Sequence, residues 1–302
     1  MAVWLVISSF RNDEDIARIL EQVHASADTF FDRILVVDSE GTGIVPALIA
    51  NRGWDRVIYR SYEQNLGSGA NLRERLRISM EGGADYVYAL NHDGYVDVTI
   101  VAALLRTAQG ITNLGAAYPL CHLVNADRYD MTGLRDLPLP AKLARKAPDG
   151  ELVDVFWGRS NGVLYALAPA KKGILPWNAM WMAYEDLEYG WRLHDHGYRQ
   201  VIVCNAVFHD TYEYRRTPFG YVINKPTWRT YYNMRNLILA IRRTRNRPLY
   251  QAIGLMRFFL EFFAILLLRE NKWRRLRMLW AGAIDGVRGI EERQASLDYS
   301  NA

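Results

Sequence analysis

The feature that most constrains this chain is an alternation in its first 110 residues, where short apolar runs are each followed by a stretch with apolar side chains at helical spacing. Residues 3–8 form a first apolar run, and residues 13–25 place Ile16, Ile19, Leu20 and Val23 on one helical face. Residues 33–37 form a second run, 45–52 are helix-like, and 56–60 read as a brief strand. Residues 71–82 read as a helix, 86–90 as a strand and 99–109 as a helix. Strands alternating with helical stretches of this length predict βαβ units and a mainly parallel central sheet flanked by helices, an α/β fold.

In such sheets ligands bind beyond the carboxyl ends of the strands, so the polar residues that end each run are candidates for a site. They are Ser9-Phe10-Arg11, Asp38-Ser39, Asn91-His92-Asp93 and, later, Val207-Phe208-His209. The stretch YVYALNHDGYVDV leaves two readings open for Asp93: a ligand-site carboxylate, or the cap of the helix that follows. Between the strand ends lies Asn65-Leu66-Gly67-Ser68-Gly69-Ala70-Asn71. A glycine loop before a helix can present backbone N–H groups to phosphate, although turns also use glycine for backbone reasons alone. No GxGxxG follows the first strand, which argues against a dinucleotide oxidoreductase.

The second half is less regular. Residues 138–150, PLPAKLARKAPDG, read as a mobile surface loop, FWGRSNGVLYAL as strand-like, 185–196 as a helix and 199–204 as a strand. Beyond about residue 226 the pattern is helical and basic. From Trp228 to Arg277 there are twelve Lys or Arg against two acids, an excess of ten positive charges, so the rest of a chain of net +4 carries −6. That split predicts an anionic partner for the C-terminal part. Residues 253–268, IGLMRFFLEFFAILLL, number sixteen and carry Arg257 and Glu261, short of the ~20 apolar residues of a spanning helix. Their basic, aromatic flanks (Trp273, Arg274, Arg275, Trp280) fit a helix lying in a membrane interface; the alternative is a core helix. The aromatic and aliphatic content suits an anionic membrane surface better than a nucleic acid. Cys121 and Cys204 make no metal or redox spacing and read as small buried residues in a reducing compartment. The N-terminus reads as a core strand, not a secretory signal.

Taken in order, these motifs resemble the family 2 glycosyltransferases, enzymes with the GT-A nucleotide-sugar-binding fold. QNLGSGANLRERLRISMEGGADYVYALNHD is similar to their loop, helix, apolar strand and acidic motif. YEDLEYGWRLHDHGYRQVIVCNAVFHD is similar to a later block in which a Glu-Asp pair opens a helix and a strand leads to a histidine. WRTYYNMRNLILA resembles a block of rhamnosyl- and galactofuranosyltransferase-like members. The likeness spans roughly residues 3–245.

The resemblance implies an inverting transfer of a sugar from a UDP- or dTDP-sugar donor to a glycan or polyprenyl-linked acceptor in cell-surface polysaccharide synthesis. Asp186 would be the base and Glu185 would orient the site or bind acceptor, although two acids also suit a helix N-terminus without any chemistry. Mn²⁺ or Mg²⁺ would bridge the diphosphate, held by Asp93 and His209. Ser9, Arg11, Asp38, Asn65, Gly67, Asn71, Asn91, His92 and Asp93 would meet the nucleotide-sugar, though strand alternation turns His92 away from its neighbours. Trp157, Gly158, Asn161 and Gly162 would line the donor sugar and acceptor, with a core role equally open for Trp157. Arg192 would be structural, pairing with one of the two acids. The expected organisation is a catalytic domain over 1–226 and a membrane-proximal or acceptor-side helical region over 227–302, on the cytoplasmic face of the cell membrane. A non-catalytic sugar-nucleotide or glycan-binding scaffold is the alternative, supported by Asn91 where many relatives carry Asp.

Overall fold

The computed structural model describes residues 1–26, 30–138, 143–211, 214–217, 220–223 and 225–292. The first half contains β1 (Val3–Phe10), α1 (Asp13–Ser26), β2 (Arg33–Ser39), α2 (Ile44–Arg52), β3 (Val57–Tyr62), α3 (Gly67–Glu81), β4 (Tyr86–Asn91), α4 (Val98–Gly110) and β5 (Leu114–Leu123). Then come the short strands β6 (Arg128–Asp130), β7 (Leu143–Ala144), β8 (Leu152–Asp154) and β9 (Val163–Ala166), followed by α5 (Ala168–Lys171), α6 (Glu185–Asp195) and β10 (Arg199–Asp210). A hairpin of β11 (Tyr214–Thr217) and β12 (Gly220–Ile223) precedes the C-terminal helices α7 (Arg229–Thr244), α8 (Pro248–Leu268) and α9 (Lys272–Arg288).

The central sheet runs β3-β2-β1-β4-β9-β5-β10-β8. Strands β3, β2, β1 and β4 are mutually parallel, as are β5 and β10, and the two groups are joined through antiparallel β9. The predicted α/β architecture, with a mainly parallel sheet and a C-terminal helical region, is therefore present. Successive residues of a strand face opposite sides, and β1 feeds two cores. Leu5 and Ile7 pack with Ile16 and Ile19 of α1 and Leu104 of α4; Trp4 and Val6 pack with Leu72 and Leu76 of α3. Of the strand-like FWGRSNGVLYAL only Val163–Ala166 forms a strand, and residues 156–162 instead cross the carboxyl edge of the sheet. The expected loop at 138–150 contains β7, which pairs with β6; its residues 139–142 lie outside the described residues.

Helix α8 overturns both the length argument and the core alternative. It begins at Pro248, whose fixed φ suits a first helical turn, and runs 21 residues, about 31 Å at 1.5 Å per residue. Tyr250, Ile253, Gly254, Phe258 and Ile265 are buried, whereas Leu255, Phe259, Leu260, Phe263 and Leu267 stand 49–68% exposed.

The C-terminal basic excess is also partly internal. Arg235 is fully buried and donates to the carbonyls of Ala179 and Glu292. Arg245 binds both Asp136 and Asp195, and Arg275 donates to the carbonyls of Lys225 and Glu270. The residues that put charge on the surface include Arg242, Arg247, Lys272, Arg274 and Arg277.

Candidate active site

The carboxyl ends of β1, β4, β5 and β10 open into a cleft of about 800 Å³, closed on its far side by the 181–186 segment and by α7 and α8. Of the residues the sequence singled out, Ser9, Asn65, Gly67, Asn71, Asn91, His92, Asp93, Trp157, Gly158, Asn161, Glu185 and Asp186 line it.

The strand-end motif takes its shape from a turn. The Asn91 N–H donates to Asn161 Oδ1 at 3.0 Å, and the Asn161 amide donates to Asp93 Oδ1 at 3.3 Å. Gly94 N–H returns to the Asn91 carbonyl at 2.9 Å. This turn ends strand alternation, which is why His92 faces the cleft with its neighbours. Helix α4 is capped by Asp97, which accepts from the N–H groups of Thr99 at 2.8 Å and Ile100 at 3.4 Å. Capping therefore does not account for Asp93, an exposed carboxylate at the cleft.

The glycine loop works differently from a phosphate cradle. Gly67 N–H donates to Asn65 Oδ1 at 2.8 Å, Ser68 N–H to the Trp181 carbonyl at 2.7 Å and Gly69 N–H to the Met180 carbonyl at 3.1 Å. A Cβ at Gly67 or Gly69 would run into those same carbonyls, and Gly67 has φ +72°. The glycines thus let α3 dock against the 180–181 backbone, and the N–H groups of Gly67, Ser68 and Gly69 are all engaged.

That docking helps to place the acid pair. Ala183 and Tyr184 both adopt left-handed backbone (φ 69° and 65°), an unfavourable conformation for residues with a Cβ. Asn236 of α7 holds it by donating to the carbonyls of Met182 at 2.8 Å and Ala183 at 3.0 Å, and Arg235 holds Ala179 at 3.0 Å. The strained turn brings Glu185 and Asp186 into the cleft at the start of α6. Removal from water, and then the neighbouring Glu185, push Asp186 up to about 7; removal from water also raises Glu185. Ser68 hydrogen-bonds Glu185, while Glu185 Oε2 has no partner among the described residues. The dipole alone does not require carboxylates held in this way. Arg192 pairs with buried Glu188 at 2.7 Å, one helical turn away, and not with either cleft acid.

Four expected residues lie outside the cleft lining. Asp38 is fully buried, with Oδ2 accepting the Tyr59 hydroxyl at 2.6 Å. Arg11 is ion-paired with Glu40 at 2.5 Å. Gly162, at φ +75°, backs onto the Phe208 ring. His209 is turned away because β10 carries an irregularity: Val203 pairs with Pro119 and Val207 with Leu120, so Cys204–Ala206 bulge out and reset the alternation. Beyond it Phe208 and Asp210 face the cleft, whereas the His209 ring meets His122 with their Nδ1 atoms 3.3 Å apart.

Among the described residues no three His, Cys, Asp or Glu side chains converge on a metal site. Asp93 is one exposed carboxylate, and the Asn91 side chain accepts from Ser8 Oγ at 3.1 Å. Mg²⁺ commonly binds through one or two carboxylates plus substrate phosphates and water. The donor set therefore fits a divalent cation arriving with a diphosphate, and does not fit one held by the protein alone.

The residues that sequence reasoning missed are mainly cations. Arg159, Lys225, Arg229 and Arg257 all line the cleft. Arg159 is bracketed by Asp130 at 2.5 Å and Asp210 at 2.8 Å. Arg257 left one signal: an arginine inside an otherwise apolar helix needs a polar place to go. Arg229 was hidden in the general basic excess, and Lys225 stands just before the stretch that carries it.

No family model and no curated protein sequence matches the chain. Solved structures do. The chain is similar to S. aureus TarS 1–349 in complex with UDP-GlcNAc, at 14% identity and TM-score 0.59, over 95% of this chain and 82% of that one. It is similar at TM-score 0.55 and 11% identity to the mannosyltransferase PcManGT from Pyrobaculum calidifontis in complex with GDP-Man and Mn²⁺, over 95% and 87% of the two chains. At these identities the likeness is one of fold: the chain has the fold of these glycosyltransferases.

Proposed function

We propose that this protein is an inverting glycosyltransferase that moves a sugar from a nucleotide-sugar donor, a UDP- or dTDP-sugar, to a glycan or lipid-linked acceptor. The observation that carries the reading is the half-buried Glu185–Asp186 pair, which lines the same cleft as Asn91–Asp93. The UDP-GlcNAc and GDP-Man in the names of similar structures support the donor class. In the reaction an acceptor oxygen attacks the anomeric carbon, the bond from that carbon to the diphosphate breaks, and Asp186 takes the acceptor proton. A base that titrates near the working pH suits this task. Glu185, held by Ser68, orients Asp186 and the acceptor. Asp93 would hold Mn²⁺ or Mg²⁺, which when bound supplies positive charge to the departing diphosphate. Trp157 and Asn161 line the same cleft, where the transferred sugar would lie.

The narrower reading is a galactofuranosyl- or rhamnosyltransferase of cell-surface polysaccharide synthesis, resting on the WRTYYNMRNLILA resemblance. The protein would act at the cytoplasmic membrane face, with the exposed apolar side of α8 and the neighbouring Trp273, Lys272, Arg274 and Arg277 against anionic lipid. A non-catalytic sugar-nucleotide-binding scaffold is favoured by one observation, that Asn91 stands in the acidic motif with its side-chain oxygen engaged by Ser8.

Replacement Asp186→Asn separates the two. An enzyme loses turnover by about 10²–10⁴-fold while its nucleotide affinity stays within about twofold, a fraction of a kcal/mol. Product formation undiminished in the variant would refute the assigned base, and no turnover in the wild type with intact nucleotide binding would favour the scaffold.

A further inference from the structure

Three cations of the cleft come from the C-terminal elements: Lys225 just before α7, Arg229 in its first turn and Arg257 midway along α8. They differ from Arg159, whose charge is met by two aspartates. Arg229 donates to the thioether of Met182 at 3.2 Å and Arg257 to the Tyr184 hydroxyl at 3.3 Å. Among the described residues none of the three is ion-paired with a carboxylate. Lys225 and Arg229 repel one another and lose hydration, which favours an anion between them, while Arg257 borders the same cleft with Glu261 acting on it. Burial, then Arg229 and Arg159, lower Lys225 to about 8, and Asp186 opposes the shift.

Their position indicates whose anion it is. Lys225 and Arg229 act electrostatically on Glu185, and Asp186 acts on Lys225. The cluster thus sits with the general base, whereas the donor diphosphate is assigned to Asp93. An anionic group beside the base belongs to the acceptor. Helix α8 adds the second half of the ligand. It sends Arg257 into the cleft and leaves Met256, Leu260 and Leu267 exposed on the flank about a quarter turn from it. An amphiphile with a charged head and an apolar tail meets the arginine and this flank of one helix.

We propose that Lys225, Arg229 and Arg257 form a subsite for the phosphate of a lipid-linked acceptor, whose chain leaves the cleft along the exposed face of α8. This rests on the transferase reading for the word acceptor, but the binding it requires does not depend on turnover.

The test uses the full chain without nucleotide and phosphatidylcholine vesicles doped with farnesyl phosphate, with farnesol, or with phosphatidylglycerol at equal charge. Farnesyl phosphate vesicles should retain the protein about tenfold better than either control, equivalent to ~1.4 kcal/mol. Arg257→Gln and Lys225→Gln should each remove most of that preference and leave nucleotide diphosphate affinity unchanged. Retention equal on phosphatidylglycerol would reduce the cluster to surface charge and overturn the subsite. Displacement by an equal concentration of inorganic phosphate would assign it to the free ion and overturn the lipid-linked source. Loss of nucleotide affinity in the variants, with the lipid preference kept, would give the cations to the donor and overturn the proposal. The wild-type comparison needs no variant to fold. A wild type that prefers farnesyl phosphate but binds no nucleotide diphosphate supports the subsite while sinking the transferase reading.

Discussion

The strand ends of the sheet and the three C-terminal helices treat polar groups in opposite ways. At the ends of β1 and β2, polar atoms are buried and left without partners among the described residues: Ser9 Oγ, Asp38 Oδ1 and Asn71 Oδ1. In the helices, buried charge is more fully matched. Arg235 and Arg275 have their guanidinium groups on carbonyl oxygens, and Arg245 lies between two aspartates. Of these, Ser9 and Asn71 line the cleft, where a ligand can reach atoms that are costly when left alone. Matched buried arginines are scaffold. A count of basic residues therefore overstates the electrostatic surface of the helical part and hides the few cations that face the cleft.

The largest expected effect breaks the scaffold side of this comparison. Arg235→Ala strands the carbonyls of Ala179 and Glu292 and empties the space between Tyr231 and Tyr232, and should cost about 3–5 kcal/mol in urea unfolding. Exposed Arg247→Ala should stay within about 0.5 kcal/mol. Equal costs would erase the distinction between matched interior arginines and surface ones.

Next comes the seam between the two regions. Gly69→Ala drives a methyl into the Met180 carbonyl and should cost about 1–3 kcal/mol, with kcat falling because the 180–184 turn carries the acids. A neutral result would mean that α3 and this turn are not locked together. On the donor side, Asp93→Ala should weaken metal-dependent nucleotide binding about tenfold, one charge-assisted contact. The same calorimetry on His209→Ala should show less than about a twofold change, since that ring points away from the cleft.

A smaller effect follows pH. Folding raises Asp186 from 3.8 to about 7, so between those values the folded chain holds a proton that the unfolded chain has released. Its contribution to stability is present below pH 3.8 and is lost as pH climbs through 7. Glu185 is raised in the same direction, and Arg159 opposes the shift. Asp186→Asn should therefore raise Tm by a few degrees at pH 8 and by less at pH 5. For turnover the sign reverses, because the base acts when deprotonated: kcat/KM should rise through about pH 7. It should fall above about 8 as Lys225, surrounded by Arg229, Arg159, Arg269 and Asp186, loses its charge. A rate indifferent to pH between 6 and 9 would count against both assignments.

The sheet half was legible because strand and helix periods differ and its strands end on polar clusters. Its elements fall within a few residues of the expected bounds, and the Asn91–Asp93 motif and the acid pair at 185–186 do share a cleft. What the sequence hid has local causes. The bulge at Cys204–Ala206 has no period to betray it, so His209 was expected where Phe208 and Asp210 stand. A glycine that lets backbones approach looks like one that cradles phosphate, and only the partners of the Gly67–Gly69 N–H groups tell them apart. Arg192 has acids at more than one reachable helical offset, and it takes Glu188. Pro248, Tyr250 and Gln251 disguised the first turn of α8, which made the helix read as too short.

The most direct test of the central claim is calorimetry of the intact chain with UDP, dTDP and GDP, each with and without Mn²⁺. One nucleotide should bind, its binding should strengthen with the metal, and Asp93→Ala should remove the metal's share. A folded protein that binds none of the three in the presence of Mn²⁺ would contradict that claim.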